Sequence, residues 1–465
     1  MSKPILVMQM QRMGDLILSF PLFLWLERQF PGRRILVLAE RAFYEPLMSI
    51  SPAVTYFPWE GAGELRKRSF ELVLNLSIRD QAASLAAELD ADEKLGPLLQ
   101  ADGSRYVRGG WQLYRASLVA NNRYNRFHWA DLNALDVIDF RRMARTAFSE
   151  PRPPVAVNPD EFSVGLFLGA SEKAKRPSPA FWAELCVRLL ERGIRPALFG
   201  GPAEKHLGNA VRTRFGRPLP NLCGKFGLKE LVRAMGTLQL FITPDTGPMH
   251  LASWTGCRTL NLSMGPVHPF ETGPYPPGHA VLRADMDCAR GCWHCTRDRL
   301  HCHDPMTPEA VAAVAARMAR GTLPANPPPG LRLYETARPH GLHALRPVGP
   351  REDGPFLRTA VFWRNFLAWR LGLWGEDVAA SGARLLRERA PERADDLAAA
   401  LPGLLAGLRR AAASGIPASI WETSPAPLKP LTGWAELSLQ NENHSPAAYA
   451  RMIETRVAAR ARLGG

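Results

Sequence analysis

Residues 241–256 read FITPDTGPMHLASWTG. The stretch from Leu240 to Thr243 is apolar and β-branched, which predicts a buried strand. From Pro248 on the residues are small and apolar, with His250 one turn in, which predicts a helix. Pro-Asp-Thr-Gly lies between them. A buried strand has no use for a carboxylate and a hydroxyl at its end. A ligand sitting over the strand's carboxyl edge does, because open α/β sheets bind their ligands there.

Working outward, the same strand-to-helix alternation recurs along the first two thirds of the chain. Ile5–Met10, Ile35–Ala39, Val54–Phe57 and Glu71–Leu76 read as strands with helical stretches between them. Residues 101–139 break the pattern, and PRPPVAVNPDEF at 151–162 reads as a linker. The alternation restarts with strands at Ser163–Leu168, Arg195–Phe199, Leu240–Thr243 and Thr259–Leu262. Alternating strands and helices predict parallel sheets built from βαβ units. The expectation is an α/β protein with two Rossmann-like domains, 1–150 and 163–321, facing each other across a cleft. After the Pro-rich stretch 321–330, residues 331–465 lose the alternation and read as a helical extension.

At 465 residues the chain exceeds one ordinary core. Its 46% hydrophobic and 22% charged residues exclude a disordered chain. The net charge of +14 is spread along the sequence. It favours anionic partners such as phosphorylated ligands or an anionic membrane face. Nucleic-acid binding calls for a denser basic stripe, so no nucleic acid is expected. The start, MSKPILVMQM, has no charged leader with a cleavage site, and the apolar run 16–26 is too short to span a bilayer. A cytoplasmic protein is expected, with room for peripheral contact at the inner face of a membrane.

Four stations carry polar groups at predicted strand ends. Arg12-Met13-Gly14-Asp15 follows the first strand; Asp15 reads as a first-turn acid and cap, or as a carboxylate able to take a proton from a hydroxyl. Gly169-Ala170-Ser171-Glu172-Lys173-Ala174-Lys175-Arg176 reads as a solvated basic loop, or as a diphosphate cradle without Walker spacing. Gly200-Gly201-Pro202-Ala203-Glu204 is ordinary turn chemistry, or places Glu204 on a ribose. In the opening stretch, Thr246 is expected to cap the helix from Gly247, and Asp245 to receive sugar hydroxyls. His250 is a core histidine or a site residue.

These four stations, in this order, resemble glycosyltransferase family 9, the ADP-heptose:lipopolysaccharide heptosyltransferases, over about residues 3–321. The resemblance implies a GT-B fold and an inverting transfer of heptose from ADP-heptose to a lipopolysaccharide core acceptor, with no metal needed for the chemistry. It implies Asp15 as general base and Ser171, Lys175 and Arg176 on the diphosphate, with Lys175 stabilising the leaving ADP. It further implies Glu204 at the ribose, and Asp245, Thr246, Gly247 and His250 at the donor. One departure is that the family's tryptophan soon after the phosphate-binding lysine is replaced here by Pro177, with Trp182 following later. The acceptor side falls to the N-terminal half, with Arg12, Arg105, Arg108 and Arg123 as candidates. Alternatives are another nucleotide sugar or acceptor within the family, a nucleotide-sugar epimerase, and a silent nucleotide-sugar-binding scaffold.

Cys288, Cys292, Cys295 and Cys302 are spaced C-x3-C-x2-C-x6-C within 288–302, a metal-like pattern. Structural zinc, free thiols or labile disulfides, and an iron–sulfur site are the open readings. Cys186, Cys223 and Cys257 read as core. In the tail, Phe362, Phe366, Trp369 and Leu373 fall near one helix face beside Arg358, Arg364 and Arg370. That face suits a membrane surface or docking on the catalytic domains.

Overall fold

The computed structural model describes residues 2–152, 162–289, 291–349, 354–416 and 420–464. The linker expected at 151–162 lies mostly outside them. The N-terminal domain is built on a six-stranded sheet in the order β3-β2-β1-β4-β5-β6. Its strands are β1 (Ile5–Met8), β2 (Ile35–Ala39), β3 (Thr55–Pro58), β4 (Ser69–Asn75), β5 (Asp90–Leu99) and β6 (Arg105–Arg108). All neighbours pair in parallel except β5 and β6. β1 and β2 are buried at every residue, which is why they read as unbroken apolar runs: helices cover both faces of a parallel sheet.

The second domain is a seven-stranded sheet in the order β13-β12-β11-β10-β9-β7-β8. Its strands are β7 (Phe162–Phe167), β8 (Ile194–Phe199), β9 (Leu240–Pro244), β10 (Thr259–Ser263), β11 (Ala280–Ala284), β12 (Leu331–Ala337) and β13 (Ala344–Pro347). Strands β7 to β11 are parallel, and β12 and β13 add antiparallel. The expected helical extension from 331 therefore begins with two strands that complete this sheet. In Leu331–Ala337 buried residues are interrupted by the half-buried Arg332 and Glu335, so the strand shows no unbroken apolar run.

Helices Pro355–Arg370, Glu376–Arg389, Pro391–Ser414, Lys429–Asn441 and Pro446–Gly464 make up the rest of the extension. They are not a free module. Phe362, Trp363 and Phe366 are fully buried in one apolar core with Ile5, Phe23 and Trp111 of the N-terminal domain. The face read as suiting a membrane is thus the face docked on the protein. Among the described residues no helix is long and apolar enough to cross a membrane. Where the extension meets edge strand β6, Asn441 imitates a neighbouring strand. Its Oδ1 accepts from Val107 N at 2.6 Å and its Nδ2 donates to Val107 O at 3.1 Å.

Candidate functional site at the domain interface

The two domains bring their strand ends together. The helix Met13–Leu18 follows β1, and the helix Gly247–Trp254 follows β9. Their first turns abut: a β-carbon added at Gly14 would stand 3.5 Å from His250 Cδ2 and 3.7 Å from Gly247 Cα. A carbon added there would be in ordinary contact, so the seam is close but not closed to alanine.

Asp15 holds the first turn of its own helix, since its Oδ2 accepts from Arg12 N at 3.1 Å. The capping reading is correct as far as it goes, and it fixes the carboxylate at the cleft floor. Arg12 is exposed and reaches across: its Nη1 donates to Ser171 Oγ at 3.3 Å and lies 4.0 Å from Glu172 Oε1. Glu172 Oε1 also meets Lys175 Nζ at 3.1 Å. Arg176 is half-buried in the same loop. Trp182 is buried in the core of the second domain on helix Pro179–Leu190.

Asp245 accepts from Thr272 Oγ1 at 2.8 Å. Its low-polarity surroundings push its pKa up, while the Lys175 ammonium and the Thr272 hydroxyl pull it down. Thr246 stands at the head of the helix, but its hydroxyl makes no cap bond, contrary to expectation. Pro248 has no N–H and Met249 N donates to Thr246 O at 3.0 Å, so of that first turn the Gly247 amide is the one left for a ligand. His250 is 6% exposed, and burial drives its pKa down to about 4, against the opposing pull of Asp15. The ring is neutral and serves first as the surface on which Gly14 rests.

Glu204 is pinned over the ends of β7 and β8. Its Oε2 accepts from Gly201 N at 2.8 Å. A β-carbon at Gly169 or Gly200 would come within 2.6 Å of the Glu204 side chain. Gly169 therefore lets the backbone pass beneath this carboxylate, and Gly200 makes room for the base of the same side chain. The basic loop is held from the other side. Gly265, at φ +70°, lies so close to Ala174 O that a β-carbon would stand 2.2 Å away. His303 Nε2 donates to the same carbonyl at 2.9 Å.

The four acceptor arginines do not form one cluster. Arg12 is in the cleft. Arg105 pairs with Asp80 at 2.9 Å, and Arg108 lines a groove with Asn441. The Arg123 guanidinium sits 5.3 Å from the Phe356 ring of the extension. Sequence reasoning missed Arg115. Its guanidinium donates to Leu76 O at 2.7 Å and feels the charge of Asp15. It also missed Thr272 and Arg283; the latter is buried and donates to Ser263 O, Gly265 O and Ala289 O. The only sequence signal for Thr272 was a polar Glu-Thr pair inside the Pro/Gly-rich stretch 265–277.

Cys288, Cys292, Cys295 and Cys302 line one cavity of about 20 Å³. All are free thiols, and burial pushes the Cys292 pKa up. Among the described residues no three His, Cys, Asp or Glu side chains stand close enough to hold a metal ion. The geometry lends the zinc expectation no support. Cys186, Cys223 and Cys257 are buried in the core, as expected.

The family model "Glycosyltransferase family 9 (heptosyltransferase)" matches residues 63–297. The lipopolysaccharide core heptosyltransferase OpsX of Haemophilus influenzae is 22% identical over 301 residues, covering 59% of this chain and 82% of the relative. Lipopolysaccharide heptosyltransferase 2 of Escherichia coli K12 is 26% identical over 317 residues, covering 60% and 87%. The solved E. coli ADP-heptose heptosyltransferase II superposes with a TM-score of 0.51 at 20% identity, over 69% of this chain and all of that one. At that identity the likeness speaks for the fold, the GT-B pair of facing sheets. With the family model spanning half of its length, this chain belongs to glycosyltransferase family 9, the heptosyltransferase family, and is a glycosyltransferase.

Proposed function

We propose that the protein moves heptose from ADP-heptose to a lipopolysaccharide core acceptor, inverting the anomeric centre, with Asp15 as general base. The observation that carries this reading is the meeting of Asp15's helix with the Gly247 helix start and the Ser171–Lys175 loop. A donor bound over β7 and β9 would present its anomeric carbon to that carboxylate. The relatives named above are heptosyltransferases of lipopolysaccharide or its core, which supports the choice of sugar and acceptor.

In this reading the acceptor hydroxyl attacks the anomeric carbon from the face opposite the diphosphate. Asp15 takes the hydroxyl proton as the new C–O bond forms. The bond to the diphosphate breaks, and its electron pair leaves with ADP. The charge that grows there is met by Lys175, Ser171, Arg176 and the Gly247 amide, preorganised before reaction. Glu204 receives the ribose hydroxyls. Asp245 receives hydroxyls of the heptose, and Arg12, the one acceptor candidate that reaches the Ser171 loop, is offered to the anionic acceptor. A lipid-borne acceptor would bring the protein to a membrane surface.

The test is transfer from ADP-heptose to a truncated lipopolysaccharide acceptor, wild type beside Asp15→Ala. Turnover lost in the variant with ADP binding retained supports both the reaction and the base. No turnover in the wild type, with ADP-heptose still bound, points to another acceptor or to a binding protein. No binding of any ADP-sugar sinks the donor assignment.

A further inference from the structure

Between β10 and β11 the short helix Pro269–Thr272 is tied to both halves of the protein. Glu271 is 3% exposed. Its Oε2 accepts from Asn122 Nδ2 at 2.8 Å and its Oε1 from Asn125 Nδ2 at 2.9 Å, both in the N-terminal domain. Asn125 has no freedom to turn over. Its Oδ1 accepts from Tyr114 Oη at 3.0 Å and from Phe127 N at 2.9 Å. The next residue, Thr272, points the other way and donates to Asp245 Oδ2. Two adjacent side chains thus connect the loop 121–126 of one domain to the carboxylate of the other.

A buried carboxylate is a costly way to fill space, and simple packing would be served by an amide or an apolar side chain. A carboxylate with both oxygens facing N–H donors is fully matched only when ionised, because a protonated acid turns one oxygen into a donor. We propose that Glu271 is a positioning residue: clamped by Asn122 and Asn125, it fixes Thr272 so that Asp245 is aimed at the donor sugar, and the acceptor-side loop 121–126 is thereby coupled to sugar binding. This rests on the reading of Asp245 as a donor-sugar residue.

The charged and titratable groups facing Glu271 are Arg126, whose guanidinium lies 4.1 Å from the Phe270 ring centre, and Tyr114. Burial pushes the Glu271 pKa up to about 7, against the pull of Asn122, Asn125 and Arg126. The clamp is complete above that pH and loosens as pH falls through it.

The experiment is calorimetric titration of the full chain with ADP and with ADP-heptose between about pH 6 and 8, read as the affinity gained from the sugar. In the wild type that gain falls about fivefold or more toward the acid end. Glu271→Gln cannot accept from both asparagines, so its gain stays low at every pH. Thr272→Val is low as well, and the double variant is no worse than either single one, because both act along one connection. If Glu271→Gln does not fold, Thr272→Val with a wild-type gain overturns the proposal. So do additive effects of the two changes, or a pH dependence that persists in Glu271→Gln and therefore belongs to Asp245. A wild type that binds ADP but gains nothing from heptose overturns the donor reading of Asp245 and this proposal with it. A wild type that gains affinity while both variants gain as much overturns the Glu271 proposal alone.

Discussion

Gly14 and Gly247, one from each domain, face each other with space for a single carbon between their backbones, since a β-carbon at Gly14 would stand 3.7 Å from Gly247 Cα. That distance is ordinary contact, so Gly14→Ala should fold and keep most of its activity. Gly14→Leu carries three more carbons into the seam and must part the two helix starts. Overpacking of this kind costs about 1–3 kcal/mol. Steady-state kinetics should show a rate reduced roughly tenfold or more, since small misplacements at a reacting centre are expensive. A Leu variant with wild-type rates would mean that the domains separate during turnover.

The loop 169–176 rests on Gly265 and is tied by His303. Gly265→Ala places a carbon against Ala174 O at a left-handed backbone angle, which costs about 1–3 kcal/mol of strain. The loop should move, and ADP affinity should drop about tenfold or more in a calorimetric titration. His303→Ala removes only the tie and should weaken ADP by a smaller factor. Equal affinities in all three proteins would free the loop from this support.

The buried histidines should destabilise the fold in acid. Burial pushes His250 down to about 4, and His279 and His343 to about 3, from an ordinary value of 6.5. Each is neutral in the fold, so below about pH 6.5 the unfolded chain takes up protons that the fold refuses. Each histidine then removes up to ~1.4 kcal/mol of stability per pH unit, until its folded pKa is passed. Glu271 acts oppositely. Its folded pKa of about 7 exceeds the ordinary 4.5, so the fold gains as pH falls between those values and offsets about one histidine. His128 and His268 are pushed down in the same way, and Asp131, Asp136 and Asp245 are pushed up as Glu271 is, so the share of one histidine is read by substitution. Neither ring nitrogen of His279 has a hydrogen-bond partner among the described residues. His279→Met should keep neutral-pH stability within about 1.5 kcal/mol and flatten the acid slope. A slope unchanged in His279→Met contradicts this assignment.

Trp363 is buried in the shared core, and its Nε1 donates to Pro427 O at 2.7 Å. Trp363→Ala should cost about 3–5 kcal/mol. Because that core also holds β1 and helix Phe20–Gln29, the loss should appear in unfolding of the N-terminal domain. A separate early transition confined to the tail would show that the extension folds by itself.

Much of this was readable in the residues. Strand ends with misplaced polar groups gave Asp15, Glu204 and Asp245, because a buried strand tolerates such groups only at its edge. The tail was harder. Phe362 and Phe366 lie on a face that suits lipid and protein equally well, and only the partner surface decides between them. β12 and β13 were missed because Arg332, Glu335 and Thr336 break up the apolar residues of Leu331–Ala337, and β13 is an edge strand of only four residues. Thr272 and Glu271 were missed for another reason: their partners lie 27 residues away and 146 or more residues away along the chain. No local pattern encodes such a pairing. The cysteine spacing pointed to a metal that the arrangement of the thiols does not support, since spacing fixes sequence order and leaves the loop's path open.

Asn441 deals with a hazard common to open sheets. An unpaired edge offers a row of free amides and carbonyls on which another strand can add. One side-chain amide occupies the donor and acceptor of Val107 and ends the row with groups that cannot propagate it. A chain cut before helix Lys429–Asn441 would lose that stopper together with the tail's apolar cover. Its β6 would then be a template for a second copy, and oligomers growing with protein concentration are the expected sign.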